Sequence, residues 1–369
     1  MKKIIYVANI RLPTEKAHGI QIMKMCEAFT STGYEVELVI PWRFNSVNAD
    51  PFEYYSIKTK FKITRIFSLD LIRFGRIGFI VQSFTFSLSA FFYTLFKKKD
   101  FIFGRDELSL FFLSFTSKVV WETHTGSYNK ATKLLLGRGI NVVAITRGLK
   151  DLYIKNGVNK DKILVAPDSV DAELFDIPLS QSDAREKLGL SKDKKIVLYT
   201  GHLYDWKGAH ILAQSAKFLS PDTEVVFVGG TENDIKTFTE RFGSVSNVLV
   251  LGKKPYYLIP IYLKAADVLT LPNSPMNDIS SLYTSPMKLF EYMAADRPIV
   301  ASDLPSIREI LNENNSVLVL PDSPELLAEG IKRVFSDNEF KNKIQNQSYE
   351  DSKLYTWIKR AKSIMEFID

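Results

Sequence analysis

The chain is expected to be an α/β protein built of two doubly wound, Rossmann-like domains. Three observations lead there. Short apolar runs alternate with helical patterns over nearly all of the 369 residues, which is the pattern of βαβ units. The runs have too little polar alternation to face water on either side, as parallel strands covered by helices on both faces require. The alternation stops at Pro167–Lys195 and then restarts, so each half has the length of one domain.

In the first half, KKIIYVANI precedes the helical pattern GIQIMKMCEAFTSTG and the strand YEVELVIP. The opening MKKIIYVANIRLP reads as a buried first strand rather than a signal peptide, because Asn9 and Arg11 interrupt a short apolar run. A long helical region follows, and then the runs DFIFGRD, SKVVWETH, INVVAITRG and KILVAP. Residues Pro167–Lys195 are polar, contain two prolines and end in charge; they read as a connection holding a short helix. The second half brings six more runs: KIVLYTGHL, TEVVFVGGT, NVLVLGKK, DVLTLP, PIVASD and SVLVLP, and YTWIKRAKSIMEFI closes it as a terminal helix. The expected domains are residues 1–170 and 171–351, with the terminal helix over 352–369. Doubly wound sheets bind ligands at the carboxyl ends of their strands, so two such domains facing across a cleft would place a site there.

The long helical region, Ile77–Phe96, has no charge in 20 residues, with Arg76 before it and Lys97, Lys98 and Lys99 after it. By length alone it qualifies as a membrane span. Polar residues dilute it, however. Phe84, Leu88, Phe91, Phe92, Leu95 and Phe96 form a stripe at helical spacing, with Gln82, Thr85 and Ser89 on another face. A span would also separate two flanks that read as strands of one sheet. The expectation is a helix buried in its domain. Contact with an anionic membrane surface through the basic flanks stays open.

Composition narrows the function classes. With 46% hydrophobic and 24% charged residues the chain is ordinary for a globular protein. A net charge of +6 favours anionic partners without selecting one. No basic stripe with interleaved aromatics supports a nucleic-acid partner. One cysteine, Cys26, rules out an intramolecular disulfide and reads as a small buried hydrophobe. The four histidines show no i, i+4 pair, and no aspartates are spaced D-x-D. No metal is therefore expected. G-x-G-x-x-G is absent, which removes the main support for a dinucleotide dehydrogenase.

Five stretches can carry chemistry. In YTGHLYDWKG (Tyr199–Gly208) a strand ends, Gly201 turns and a helix starts near Gly208, so that Lys207 would lie by a helix amino end, a suitable place for a diphosphate. The plain alternative is a surface lysine. In FVGGTENDI, Gly229 and Gly230 either let backbone approach a ligand or only shape a turn. VVWETHTG delivers Glu122 and His124 to a strand end; the alternative for His124 is a hydrogen-bonded structural histidine. In NIRLPTEKAHGIQ, Gly19 opens a helix that can receive an anion or a sugar, or simply begins there. In YTSPMKLFEYMA, Ser285 suits an N-cap and Pro286 a first helical residue. Phe290, Met293 and Ala294 should pack inward. Lys288 and Glu291, three apart, make either a surface ion pair or a site wall in which Glu291 accepts two ribose hydroxyls.

These stretches, in their order along the chain, resemble the retaining glycosyltransferases of family four, nearly end to end. SPMKLFEYMAADRPIVASDLPSIREIL (Ser285–Leu311) is the most specific part, and YTGHLYDWKG, LVAPDSVD, YLKAADVLTLP and VVWETH accompany it. The resemblance implies the GT-B fold, with an amino-terminal acceptor domain, a nucleotide-sugar domain, and a last helix that crosses back to the first. It implies a nucleotide-diphosphate sugar donor (UDP- or GDP-linked), a glycan or lipid-linked acceptor, retention of configuration, no metal or other cofactor, and work in polysaccharide or glycolipid synthesis. By position, Glu291 would hold the ribose, Lys207 the diphosphate and His124 the donor sugar. Gly19 and the amides of Ser285–Met287 would lie by the diphosphate, with Gly229, Gly230, Pro286 and Lys288 around the donor. Three residues depart from the family pattern. Tyr283 stands where a glutamate contacts the donor sugar, His202 where an arginine joins the lysine, and His18 where a second glycine is frequent. The expected location is cytoplasmic, with peripheral contact at the inner face of a membrane left open. The rival readings are a GT-B epimerase or phosphorylase and a non-catalytic partner that binds nucleotide sugar.

Overall fold

The computed structural model describes residues 2–369. The chain divides into two compact units, Met1–Pro167 together with Trp357–Asp369, and Asp168–Thr356.

The first unit holds seven strands: β1 (Lys3–Val7), β2 (Glu35–Pro41), β3 (Lys62–Ile66), β4 (Phe101–Gly104), β5 (Val119–Thr123), β6 (Asn141–Ala144) and β7 (Ile163–Val165). They form one parallel sheet in the order β3-β2-β1-β4-β5-β6-β7. The chain winds outward from β1 to β3 and then returns to place β4 beside β1. The carboxyl ends of β1 and β4 therefore flank a topological switch point, where such sheets receive ligands. Every residue of β4 and β5 is buried. β3 is not among the strands expected from composition, because KITRI carries two charges in five residues. It is an edge strand, paired only with β2, and a sheet edge tolerates charge.

The second unit holds β8 (Lys195–Thr200), β9 (Thr223–Val228), β10 (Val248–Gly252), β11 (Val268–Leu271), β12 (Ile299–Ser302) and β13 (Val317–Val319). Their parallel sheet has the order β10-β9-β8-β11-β12-β13, with the same switch between β8 and β11. Side chains alternate across it. Ile196 and Leu198 enter one core layer, Val197 and Tyr199 the other.

Three expectations change. The Pro167–Lys195 stretch contains two short helices, Ala172–Phe175 and Gln181–Leu188. It is packed rather than a free connection: Phe175 is fully buried, and Arg185 binds the Ala265 carbonyl and Asp267. The terminal helix begins at Trp357 and not at residue 352, because the preceding helix runs to Ser352. Its buried residues Ala361, Ile364 and Met365 belong to the first unit, where the helix packs on Ala17–Ser31.

The third change concerns the long helix, which spans Gly75–Leu95. As a buried helix it would turn its large apolar side chains inward. Its buried face is instead made of Gly78, Gln82, Ser83, Phe86, Ser87, Ala90 and Thr94. Small side chains let it sit close to its neighbours, and the polar ones find partners: Gln82 Nε2 donates to Asn9 Oδ1, Asn9 donates to Ser83, and Ser87 Oγ meets Ser109 Oγ at 2.9 Å. Ile77, Phe84, Leu88 and Phe92 are exposed.

Candidate functional site

In the second unit the candidate residues gather at the carboxyl end of β8. After Thr200 the chain passes Gly201 and His202, makes a 3-10 turn over Asp205–Lys207, and enters the helix Ala209–Ser215 through Gly208. Lys207 thus precedes a helix amino end. The turn is pressed against the end of β11: a Cβ at Gly208 would lie 1.7 Å from the Pro272 carbonyl oxygen. Ser274 N and Ser280 Oγ both donate to the Trp206 carbonyl, which fixes the loop from the other side. The Lys207 Nζ lies over the Trp206 ring, 3.9 Å from its centroid, and burial lowers its pKa to about 8.

Gly229 and Gly230 follow β9 with φ of +128° and +90°, values that side-chain-bearing residues avoid. A Cβ on Gly229 would stand 2.3 Å from the Gly201 carbonyl oxygen, so the two strand ends touch backbone to backbone. His202 stacks on Tyr204 with ring centroids 4.8 Å apart, and its Nδ1 is 3.9 Å from Asp234 Oδ2.

The helix Met287–Ala294 closes this group, and it is buried all round, Lys288 and Glu291 included. The surface ion-pair reading of those two is therefore wrong. Lys288 Nζ donates to the Thr200 carbonyl at 3.2 Å, lies over the Tyr199 ring, and would be 3.7 Å from a Cβ on Gly201. Burial and then the charge of Lys207 hold its pKa well below the ordinary range, with Glu291 opposing. Burial raises Glu291 to about 7, against the Tyr256 hydroxyl, which donates to its Oε1 at 2.9 Å, and against Lys288. Two cations and one acid are thus all biased toward their neutral forms. The helix start also differs from expectation. Pro286 occupies the N-cap and offers no side-chain bond, while the Ser285 hydroxyl accepts from the Asp168 amide at 2.9 Å. Ser285 ties down the chain's entry into this unit rather than the helix end. Of the amides there, Met287 and Lys288 lie in the first turn, where no intrahelical acceptor exists; Pro286 has none. Tyr283 is half-buried and ends the π-helical segment Ile279–Tyr283.

In the first unit, Glu122 and His124 emerge at the end of β5, and Glu122 organises the group around it. His124 Nε2 is 2.6 Å from Glu122 Oε1, and Gln21 Nε2 donates to the same oxygen at 2.6 Å. Arg360 Nη2 lies 3.0 Å from Oε2, and Arg105 Nε 3.9 Å from Oε1. Burial disfavours the carboxylate, but Arg360, His124 and Arg105 outweigh it and hold Glu122 below the ordinary range. Burial first, then Arg105, lower His124 to about 4. His124 is therefore neutral near pH 7, with its proton on Nε2 toward Glu122 and Nδ1 left as an acceptor. His18 is lowered to about 4 by burial, Arg105, Lys16 and His124. Gly19 is a packing glycine: its N–H donates to the Lys16 carbonyl, and a Cβ would meet the Tyr55 hydroxyl at 2.3 Å. It does not present a free amide.

Sequence reasoning missed Arg105, Arg360, Tyr256 and Asn273. Arg105 directly follows β4 at the switch point, which is the signal that could have found it. Asn273 follows β11 in the same way; it is fully buried, and neither of its amide atoms has a partner among the described residues. Arg360 and Tyr256 carried no local signal. Among the described residues, no group of three or more His, Cys, Asp or Glu side chains could hold a metal ion.

Known proteins share part of this sequence and the whole of its fold. Residues 180–351 match the family described as glycosyl transferases group 1. An uncharacterised glycosyltransferase of Methanocaldococcus jannaschii is 27% identical over 234 residues, covering 60% of this chain and 57% of that protein. The UDP-Gal:alpha-D-GlcNAc-diphosphoundecaprenol alpha-1,3-galactosyltransferase of Escherichia coli is 31% identical over 166 residues, 42% of this chain and 39% of that protein. The matches to the curated relatives span about half of their length. Among solved structures, Anabaena HepE in complex with UDP and glucose superposes with a TM-score of 0.79 at 16% identity, covering 100% of this chain and 99% of that one. The family match covers most of the second unit but less than half of the chain, and the whole chain shares the GT-B architecture of these solved structures.

Proposed function

We propose that the protein transfers a sugar from a nucleotide diphosphate, UDP- or GDP-linked, to an acceptor hydroxyl with retention of anomeric configuration. The observation that carries this reading is the group at the β8 switch point: buried Lys288 and Glu291 with half-buried Lys207. With their charged forms disfavoured, these side chains favour a ligand that brings anionic oxygens for the lysines and hydroxyls for the acid. A nucleoside diphosphate brings both. HepE was solved with UDP and glucose, and the Escherichia coli relative is named for UDP-Gal, which supports a uridine nucleotide as the first donor to test.

As the glycosidic bond breaks, negative charge grows on the leaving diphosphate. Lys207, Lys288 and the first-turn amides of Met287 and Lys288 stabilise it, and preorganised donors of this kind act mainly on the transition state. Glu291 accepts from the ribose. The acceptor hydroxyl attacks from the face the diphosphate leaves, and a phosphate oxygen takes its proton, so no separate base is needed. His124 and its neighbours in the first unit are assigned to the sugar and acceptor, with Nδ1 accepting from a hydroxyl. Lysines and amides, rather than a metal, neutralise the diphosphate. Activity should therefore survive a chelator. The acceptor is a glycan or a lipid-linked sugar.

Thermal shift with UDP, GDP and their sugar conjugates tests the donor half alone. At one hundred times Kd the matching nucleotide should add about 2.7 kcal/mol of stability. Lys207→Ala should keep the fold and lose nucleotide affinity by about tenfold or more. No shift with any nucleotide, or unchanged affinity in Lys207→Ala, overturns the assignment. The anomeric configuration of the product, read by NMR, decides retention.

A further inference from the structure

The helix Gly75–Leu95 presents a line of large apolar side chains to the outside of its unit. Ile77, Ile80, Phe84, Leu88, Phe92 and, just past the helix, Phe96 recur every three or four residues, and all are exposed; Ile77 is 76%, Phe92 60% and Phe96 91% accessible. The patch continues beyond the helix. Phe84 meets Phe112, Phe112 meets Phe111, and Phe111 meets the exposed Phe115, over which the Arg138 guanidinium lies. A continuous apolar surface of this extent marks an interaction site.

Charge selects the occupant. No aspartate or glutamate occurs between Gly75 and Lys99, while Arg73 and Arg76 precede the line and Lys97, Lys98 and Lys99 end it. Lys97 is engaged by Glu37 and Lys99 donates to backbone carbonyls, but Arg76 and Lys98 are exposed. The asymmetry is wider than the helix. The first unit has 28 lysines and arginines against 15 aspartates and glutamates, and the second has 20 against 27. Their net charges are +13 and −7, so the apolar line belongs to the strongly cationic unit. Its length is that of the helix, about 30 Å at 1.5 Å per residue. A span across a bilayer would expose the opposite face, whose Gln82 and Ser87 are bonded to Asn9 and Ser109 of the same unit.

We propose that this face docks on an anionic lipid bilayer. The helix lies in the plane of the interface, with the Ile77–Phe96 line among the acyl chains and Arg76 and Lys98 at the headgroups. The proposal does not rest on the transferase reading, because binding is measured without donor or acceptor.

The test is flotation of the full chain with vesicles of phosphatidylcholine alone and of phosphatidylcholine mixed with phosphatidylglycerol. The mixed vesicles should carry the protein, and less of it as salt rises. Phe84→Ser with Leu88→Ser and Phe92→Ser should lower partitioning by at least about tenfold at an unchanged melting temperature, since these side chains are already exposed. Arg76→Gln and Lys98→Gln should each cost about fivefold on the anionic vesicles only. Single Ile80→Trp and Phe92→Trp variants should be quenched alike by brominated lipid, as a helix in the interface requires. Absence of binding to the anionic vesicles, or full binding by the triple variant, overturns the proposal. So does a wild-type dimer that the triple variant dissociates without any vesicle binding, which would give the face to a second copy.

Discussion

Glu291 shows how burial changes the meaning of a residue. Three positions from Lys288 on a helix, it reads from sequence as half of an exposed pair, because spacing says which residues are neighbours but not whether water reaches them. The structure buries both, and Glu291 rises to about 7. Its folded-state pKa is thus above its unfolded value of 4.5. The folded chain holds an extra proton between those values, so stability falls as pH rises from 4.5 through 7. Glu291→Gln removes that loss. The variant should match the wild type below pH 4.5 and exceed it above pH 7 by on the order of 3 kcal/mol, while losing affinity for nucleotide. Lys207 has the opposite sign: its folded pKa of about 8 lies below 10.5, so its term gains stability as pH rises from 8 to 10.5. Denaturant melts of the wild type and Glu291→Gln across pH would show both slopes, and parallel curves for the two would refute the burial argument. Lys207 was visible in the turn between a strand and a helix, and His124 at a strand end. The partners that set the protonation of Glu291 and Glu122 were not, because Tyr256 and Arg360 reach these two carboxylates from remote parts of the chain.

Among the elements, loops at the switch points were readable and helix faces were not. Glycine after a strand pointed to the Gly201–Gly208 and Gly229–Gly230 turns, since few residues other than glycine allow such backbone geometry and close approach. Gly208→Ala tests that geometry. With φ of +71° and a Cβ 1.7 Å from the Pro272 carbonyl, the substitution should destabilise the protein by about 3 kcal/mol and weaken nucleotide binding by displacing Lys207. Wild-type melting in that variant would refute the close packing of Gly208 on Pro272. The Gly75–Leu95 helix taught the opposite lesson. Its apolar period was plain in the sequence, but a period has no sign: it gives the spacing of a stripe, not the side on which the unit lies. Small residues and the polar partners Asn9 and Ser109 decided that, and neither is adjacent in sequence. β3 escaped for a related reason, since an edge strand need not be apolar on both faces.

For the molecule as a whole, two doubly wound sheets followed directly from the alternation of apolar runs, and the strand orders now show a switch point in each. What composition alone could not reveal is how firmly the last helix is fastened. Arg360 pairs with the buried Glu122 and donates to the carbonyls of Ala166 and Pro167. Removing one partner of a buried pair leaves the other charged and unsolvated. Arg360→Met should therefore cost about 3–5 kcal/mol and broaden or split the melting transition, with the first unit unfolding earlier. A single transition at the wild-type temperature would show that packing against Ala17–Ser31 suffices without the ion pair.

This fastening also has a consequence for the order in which the protein is made. The second unit is one uninterrupted segment, Asp168–Thr356, and all of it is synthesised before Trp357 is added. The first unit begins the chain yet lacks a helix and the counter-ion of Glu122 until its final residues emerge. At roughly 5–20 residues per second, Glu122 waits on the order of ten seconds or more for Arg360. The sequence of the later unit is therefore complete first, and the earlier one matures only when the chain returns to it.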